Sequence, residues 1–320
     1  MLQDHTWAIV FPGQGSQSVG MLADIALQYP SVQETFEMAS NIVQYDLWDM
    51  VAHGPKETLD QTRYTQPALL TASYALYRII QNKCAPLTVK ALAGHSLGEY
   101  SALVVANALD FEKALVLVSA RGFYMQEAVP EGVGAMAAII GLSDEEVSML
   151  CDEVKDTMQG GVLSPANFNS IGQVVIAGHR ELVTAAMLEA KNRGARLATL
   201  LPVSVPSHCA LMQPAAERLR ADLDSITIRM PLLPVISNVS AAFYDDVTTI
   251  ADGLVQQLYS PVRFVETMQL ISRLGIKHVI ECGPGKVLSG LIKRIDKSIT
   301  VYSIGDLASL SAFLAEDDNT

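Results

Sequence analysis

Val89-Lys90-Ala91-Leu92-Ala93-Gly94-His95-Ser96-Leu97-Gly98-Glu99-Tyr100 decides how the rest of the chain is read. An apolar run breaks at Gly94 and resumes as a helical pattern through Ala108, so the stretch predicts strand, sharp turn and helix with a serine at the apex. Gly94 to Gly98 fits G-x-S-x-G, in which the flanking glycines let strand and helix approach closely around a strained serine. Ser96 would project its hydroxyl at a helix N-terminus, where unpaired N–H groups and the helix dipole favour developing negative charge. Serine also caps βα turns, and the five-residue pattern alone leaves that reading open.

Outward from this turn, the 320 residues are 50% hydrophobic and 18% charged, enough for a large buried core. Twenty-two basic against 34 acidic residues give a net charge of −12, which disfavours a nucleic-acid partner. Cys84, Cys151, Cys209 and Cys282 form no C-x-x-C pair, so neither a zinc site nor a disulfide framework is suggested. The start, with Asp4 and a strand by Trp7, lacks the basic and apolar regions of a secretory signal. Asp110, Glu112 and Lys113 interrupt the longest apolar segment, 102–120, against a membrane span. A soluble, cytoplasmic protein is expected.

Trp7 to Phe11 reads as a buried strand ending in Pro12-Gly13-Gln14-Gly15-Ser16-Gln17. Gly13-x-Gly15-x-x-Ser18 lacks the third glycine of a dinucleotide fingerprint; a tight loop aiming N–H groups into a cleft is the rival use. Helical patterning follows to about Asn82, with breaks at Tyr29-Pro30, His53-Gly54-Pro55 and Tyr64-Thr65-Gln66-Pro67, the last opening an apolar helix over 68–80. A helix over 111–128 carries Arg121 among apolar neighbours. Pro130-Glu131-Gly132-Val133-Gly134 marks a boundary, after which strands and helices run βαββαβ, a ferredoxin-like unit with a capping box at Ser143–Glu146. Pro206-Ser207-His208 leads into a helix to about Asp224. Strands are expected over 234–238, 277–282 and 299–304, helices over 250–258, 262–274 and 287–295, and a frayed acidic tail from Ala315.

The expected fold class is therefore α/β: an α/β-hydrolase-like core with a parallel sheet and nucleophile elbow, built from residues 1–130 and 204–320, with a ferredoxin-like subdomain at 131–203 inserted. A serine nucleophile needs a base. His95 sits in the elbow with its ring aimed away from Ser96, His179 starts a helix, His278 begins a buried strand, and His5 and His53 lie in polar surroundings. His208 remains, in the Ser-before-His order of α/β-hydrolase-like enzymes, although helix-start histidines also serve as caps.

The elbow, Phe11 to Gln17, Asn167-Phe168-Asn169-Ser170 with Gln173 to Gly178, Pro202 to His208, and Gly283-Pro284-Gly285 together resemble the malonyl-CoA:acyl carrier protein transacylases of bacterial type II fatty acid synthesis. The resemblance runs from about Phe11 to Leu291. It implies that Ser96 takes the malonyl group as an ester, that His208 is the base, and that Gln14 and Leu97 N–H groups form the oxyanion hole. By the same resemblance Arg121 grips the malonyl carboxylate and the carbonyl of Gln257 orients His208. A planar guanidinium can hold a carboxylate through two parallel hydrogen bonds; an arginine snorkelling from an amphipathic helix is the alternative. Ile171 departs from the proline common after Asn-Ser in that family.

No bound cofactor is expected beyond malonyl-CoA and CoA as substrate and product. The expected partner is an acyl carrier protein, and the protein is expected to be a monomer. Lys286, Lys293, Arg294 and Lys297 are candidates for docking that acidic carrier, or else solvated helix-end cations. Rival functions are an acyltransferase of a polyketide pathway, a serine thioesterase or esterase, and a non-catalytic carrier-docking module.

Overall fold

The computed structural model describes residues 2, 5–203 and 205–318. Asp4, Ser204 at the expected return into the larger unit, and residues 319–320 of the expected tail lie outside them.

Four strands, β1 (Thr6–Phe11), β2 (Thr88–Gly94), β7 (His278–Glu281) and β8 (Thr300–Ser303), make a parallel sheet in the order β2-β1-β7-β8. Side chains alternate across β1 with the period of two that a strand imposes. Trp7, Ile9 and Phe11 join the larger core, with Leu69, Leu76 and Leu103, while Ala8 and Val10 pack with Phe264, Met268 and Ile292 on the opposite face. Both faces are thus covered, which is why the strands read as continuous apolar runs rather than alternating ones. β1 and β2 end together, Phe11 opposite Gly94, so the Pro12 loop and the elbow emerge side by side at the carboxyl edge of the sheet. That edge is where ligands of open α/β sheets bind.

The second sheet is antiparallel, ordered β4-β5-β3-β6 from β3 (Gly134–Ile140), β4 (Leu163–Ser170), β5 (Gln173–His179) and β6 (Leu197–Leu200). The helices Asp144–Thr157 and Arg180–Asn192 complete a βαββαβ order, and Ser143 and Glu146 form the expected capping box. This sheet has its own core of Ile139, Leu150, Ile176 and Val183.

Several elements depart from expectation. The break at Tyr64–Pro67 is absent: one helix runs Thr62–Lys83 with Pro67 inside it. Pro67 leaves the Arg63 carbonyl without its helical donor, and packing supports this turn instead. Gly122 approaches so closely that a Cβ there would lie 2.7 Å from Arg63 Cα, and Gln126 Oε1 accepts from Arg63 N at 2.9 Å. Residues 234–238 form only isolated bridges, Val235 to β2 and Ile236 to Phe243, because the chain turns at Asn238 toward the elbow. β4, expected to end at Asn167, runs on to Ser170 and meets β5 starting at Gln173, leaving Ile171-Gly172 as a two-residue turn with Gly172 at φ 68. The C-terminal helix Leu307–Asp318 continues through the start of the expected frayed tail.

Candidate active site

Ser96 stands at φ 52, outside the ordinary range for a non-glycine residue, between β2 and the helix Gly98–Val105. The flanking glycines are required by contact: a Cβ on Gly94 would lie 1.8 Å from Gly98 C, and one on Gly98 would lie 2.0 Å from Phe11 O. Neither backbone polar group of Ser96 joins the sheet ladder. Its N–H donates to Asn238 Oδ1 at 2.7 Å, and its carbonyl accepts from Gln257 Nε2 at 3.0 Å. Asn238 Nδ2 also donates to Gly94 O at 2.7 Å, tying both ends of the turn to one side chain.

His208, itself at φ 63 and 3% exposed, brings Nε2 to 2.8 Å from Ser96 Oγ. Its Nδ1 lies 2.7 Å from the Gln257 carbonyl. A carbonyl only accepts, so Nδ1 carries the hydrogen and Nε2 is left to accept from the serine hydroxyl. Burial, and then the nearby Arg121 cation, lower the His208 pKa to about 3, so the imidazole is neutral at physiological pH.

Arg121 is 1% exposed on the helix Phe111–Glu127. One terminal nitrogen donates to Gln66 Oε1 at 2.9 Å, and the other to Gln257 Oε1 at 2.8 Å and to Ser96 Oγ at 3.4 Å. Both amide oxygens are neutral, and among the described residues no carboxylate lies within ion-pair distance of Arg121. A buried guanidinium held by two amide oxygens, with the serine hydroxyl at 3.4 Å and no carboxylate in ion-pair distance, can take an anionic ligand at little further cost.

The backbone N–H groups of Gln14 and Leu97 donate to no protein group among the described residues, and both residues line the cleft with Ser96, Arg121 and His208. Leu97 is the N-cap of the elbow helix, where free N–H groups are the rule. The rest of the lining mixes apolar side chains, among them Met136, Val175, Leu201, Val205, Val287, Leu288 and Leu291, with the amides of Asn167, Asn169 and Gln173. His95 meets Asn169 Oδ1 through Nε2 at 2.7 Å, and burial lowers its pKa.

The candidate docking cations lie on and beside the helix Val287–Ile295. Lys286 pairs with Asp306 at 3.0 Å, Arg294 donates to Gln173 at the cleft at 2.6 Å, and Lys293 and Lys297 are exposed. Gln66 and Asn238 were missed by sequence reasoning. Gln66 sat in the expected helix break, and Asn238 is 142 residues from the serine it holds, a separation at which no local pattern registers. Among the described residues no group of three or more His, Cys, Asp or Glu could hold a metal, and no helix is long and apolar enough to cross a membrane.

Fold and site together define an acyl transferase: the family model described as acyl transferase domain matches residues 8–307, and the chain belongs to that family. Within it the similarity is to malonyl CoA-acyl carrier protein transacylases. The Salmonella typhimurium enzyme is 52% identical over 310 residues, 97% of this chain and 99% of that one, and the Bacillus subtilis enzyme is 44% identical over 93% of each. The Coxiella burnetii transacylase structure superposes with TM-score 0.94 at 50% identity, covering 98% of both chains. A malonyl-transacylase in complex with its type II PKS acyl-carrier protein gives TM-score 0.94 at 50% identity, over 97% of this chain and 99% of that one.

Proposed function

We propose that this protein transfers the malonyl group from malonyl-CoA to the phosphopantetheine thiol of an acyl carrier protein, supplying fatty acid biosynthesis from the cytoplasm without a bound cofactor. His208 Nε2 takes the Ser96 proton as Oγ attacks the thioester carbonyl, and the resulting oxyanion faces the N–H groups of Gln14 and Leu97. Collapse expels CoA as its thiol, with the proton returned from His208. In the second half the carrier thiol gives its proton to His208 and attacks the serine ester, and the malonyl thioester leaves as Ser96 is restored.

The observation that carries this reading is the Arg121 guanidinium, buried beside Ser96 with two amide acceptors and no anion. A substrate carboxylate there would also offset the cation that helps depress His208, raising its basicity when an acyl donor is bound. The apolar side chains of the lining limit water and so favour transfer over hydrolysis. Residues 131–203 would act as a subdomain closing the cleft over a core of residues 1–130 and 204–320. The carrier would dock near Lys286, Lys293 and Arg294 on a monomer. The test is intact-mass analysis: malonyl-CoA should add one malonyl group at Ser96, and holo carrier protein should remove it as malonyl-carrier. Release of free malonate instead would indicate a hydrolase. Carriers from fatty acid and polyketide pathways, compared in the second step, decide which is served.

A further inference from the structure

Glu99, three residues beyond Ser96, is a buried carboxyl to which the proposed mechanism gives no task. It is fully buried, and every hydrogen bond it accepts comes from the site's scaffolding. Oε1 accepts from Tyr244 OH at 2.6 Å and Asn238 N at 3.2 Å, and Oε2 accepts from Gln257 Nε2. Asn238 and Gln257 are the two residues whose side chains hold the Ser96 N–H and the Ser96 carbonyl. Gln257 also presents its amide oxygen to Arg121 and its backbone carbonyl to His208.

We infer that Glu99, as a carboxylate, is the positioning residue that locks Asn238 and Gln257, and through them the strained serine and the substrate-facing arginine. Three donors converge on its two oxygens, an arrangement that suits an acceptor-only group. A glutamine in its place would turn an N–H toward either Gln257 Nε2 or Asn238 N, leaving a buried donor facing a donor. Protonation of the carboxylate does the same to one oxygen.

Burial raises the Glu99 pKa to about 7, against the pull of its three donors and of Arg121. The titratable groups that face it are Tyr244, Tyr100 on its own helix and Arg121. Burial pushes both tyrosines upward, Tyr100 to about 12, so neither changes charge near neutrality. His208, already depressed to about 3, does not titrate there either.

The inference rests on Ser96 being the acylated residue. The experiment is single-turnover acylation by malonyl-CoA and acetyl-CoA, read by intact mass across pH 5.5 to 8.5 for wild type, Glu99→Gln and Tyr244→Phe, with thermal melting of each. Wild type should lose rate with both donors as the pH falls through about 7, as the carboxylate takes up its proton. Glu99→Gln should be slower by about 10-fold or more, the worth of a hydrogen bond to a charged group, and its rate should no longer follow pH. Tyr244→Phe removes one donor that favours the ionised form, so its inflection should move to higher pH. A Glu99→Gln protein with the wild-type profile overturns the inference, as does a Tyr244→Phe inflection that stays in place. If Glu99→Gln does not fold, the Tyr244→Phe profile decides. No adduct from either donor would instead fail the proposed transferase reading.

Discussion

The two sheets meet at one cleft and bring different things to it. The parallel sheet and its helices deliver the nucleophile Ser96, the base His208 and the cation Arg121, with the Gln257 amide and the buried Glu99 behind them. The antiparallel sheet delivers Met136, Val175 and two asparagines. The elbow at the parallel sheet is built on backbone approaches that admit no Cβ at Gly94 and Gly98, and its serine is held by side chains bonded on several sides. The other half meets the cleft through the apolar Met136 and Val175, whose contacts have no preferred direction and tolerate small shifts, and through the amides of Asn167, Asn169 and Gln173. Chemistry that needs sub-ångström placement sits at the turn that is held on the most sides.

The steepest loss expected on the parallel side comes from Ser96→Ala, which should remove the acyl adduct and lower transfer by about 10⁴–10⁶, as when a nucleophile is deleted. His208→Ala should follow at about 10²–10⁴, the range for a general base. Both are read as single-turnover rates, and a His208→Ala protein within a few-fold of wild type would place the base elsewhere. In Glu99→Gln the residual acylation should stay level down to about pH 5, because a histidine depressed below its ordinary value stays neutral there; a fall near the usual pKa of about 6.5 would contradict the buried, neutral imidazole.

A matched pair of glycines tests the mechanical contrast. Gly98→Ala drives a Cβ into Phe11 O and should cost about 3–5 kcal/mol in denaturant unfolding, at the upper end for single substitutions. Gly172→Ala sits at φ 68 in the exposed hairpin, its nearest neighbour 3.7 Å away, and should cost about 1 kcal/mol. Equal costs would erase the distinction between the elbow and the hairpin turn. Smallest of all, Asn169→Ala removes the His95 partner from the antiparallel side and should slow acylation by about 10-fold or less, the worth of one hydrogen bond.

Much of this was legible in the chain because its signals are local. G-x-S-x-G fixed the strand–turn–helix at Ser96, the Ser143–Glu146 box marked a helix start, and the rhythm after Gly134 gave βαββαβ. Gln66 was not legible: a proline in the second turn reads as a break, and only the contact of Gly122 on Arg63 carries the helix through. Nor was Asn238, whose turn toward the elbow also reduced an expected strand to isolated bridges at Val235 and Ile236. Glu99 was visible within the elbow motif, yet its neighbours are 139, 145 and 158 residues away, so its setting exists only after folding. Arg121 shows the same limit, since residue type favours an exposed arginine and only packing buries it.

The central claim is that the buried guanidinium selects a carboxylated acyl group, and it is tested by acylating wild type and Arg121→Ala with malonyl-CoA and acetyl-CoA side by side. Wild type should form the malonyl adduct far faster than the acetyl adduct. Arg121→Ala should lose that preference by about 10²-fold or more through the malonyl donor alone, as expected when a buried ion-pair partner is removed. A wild-type protein that takes both donors equally, or an Arg121→Ala protein that keeps the malonyl preference, would contradict the account.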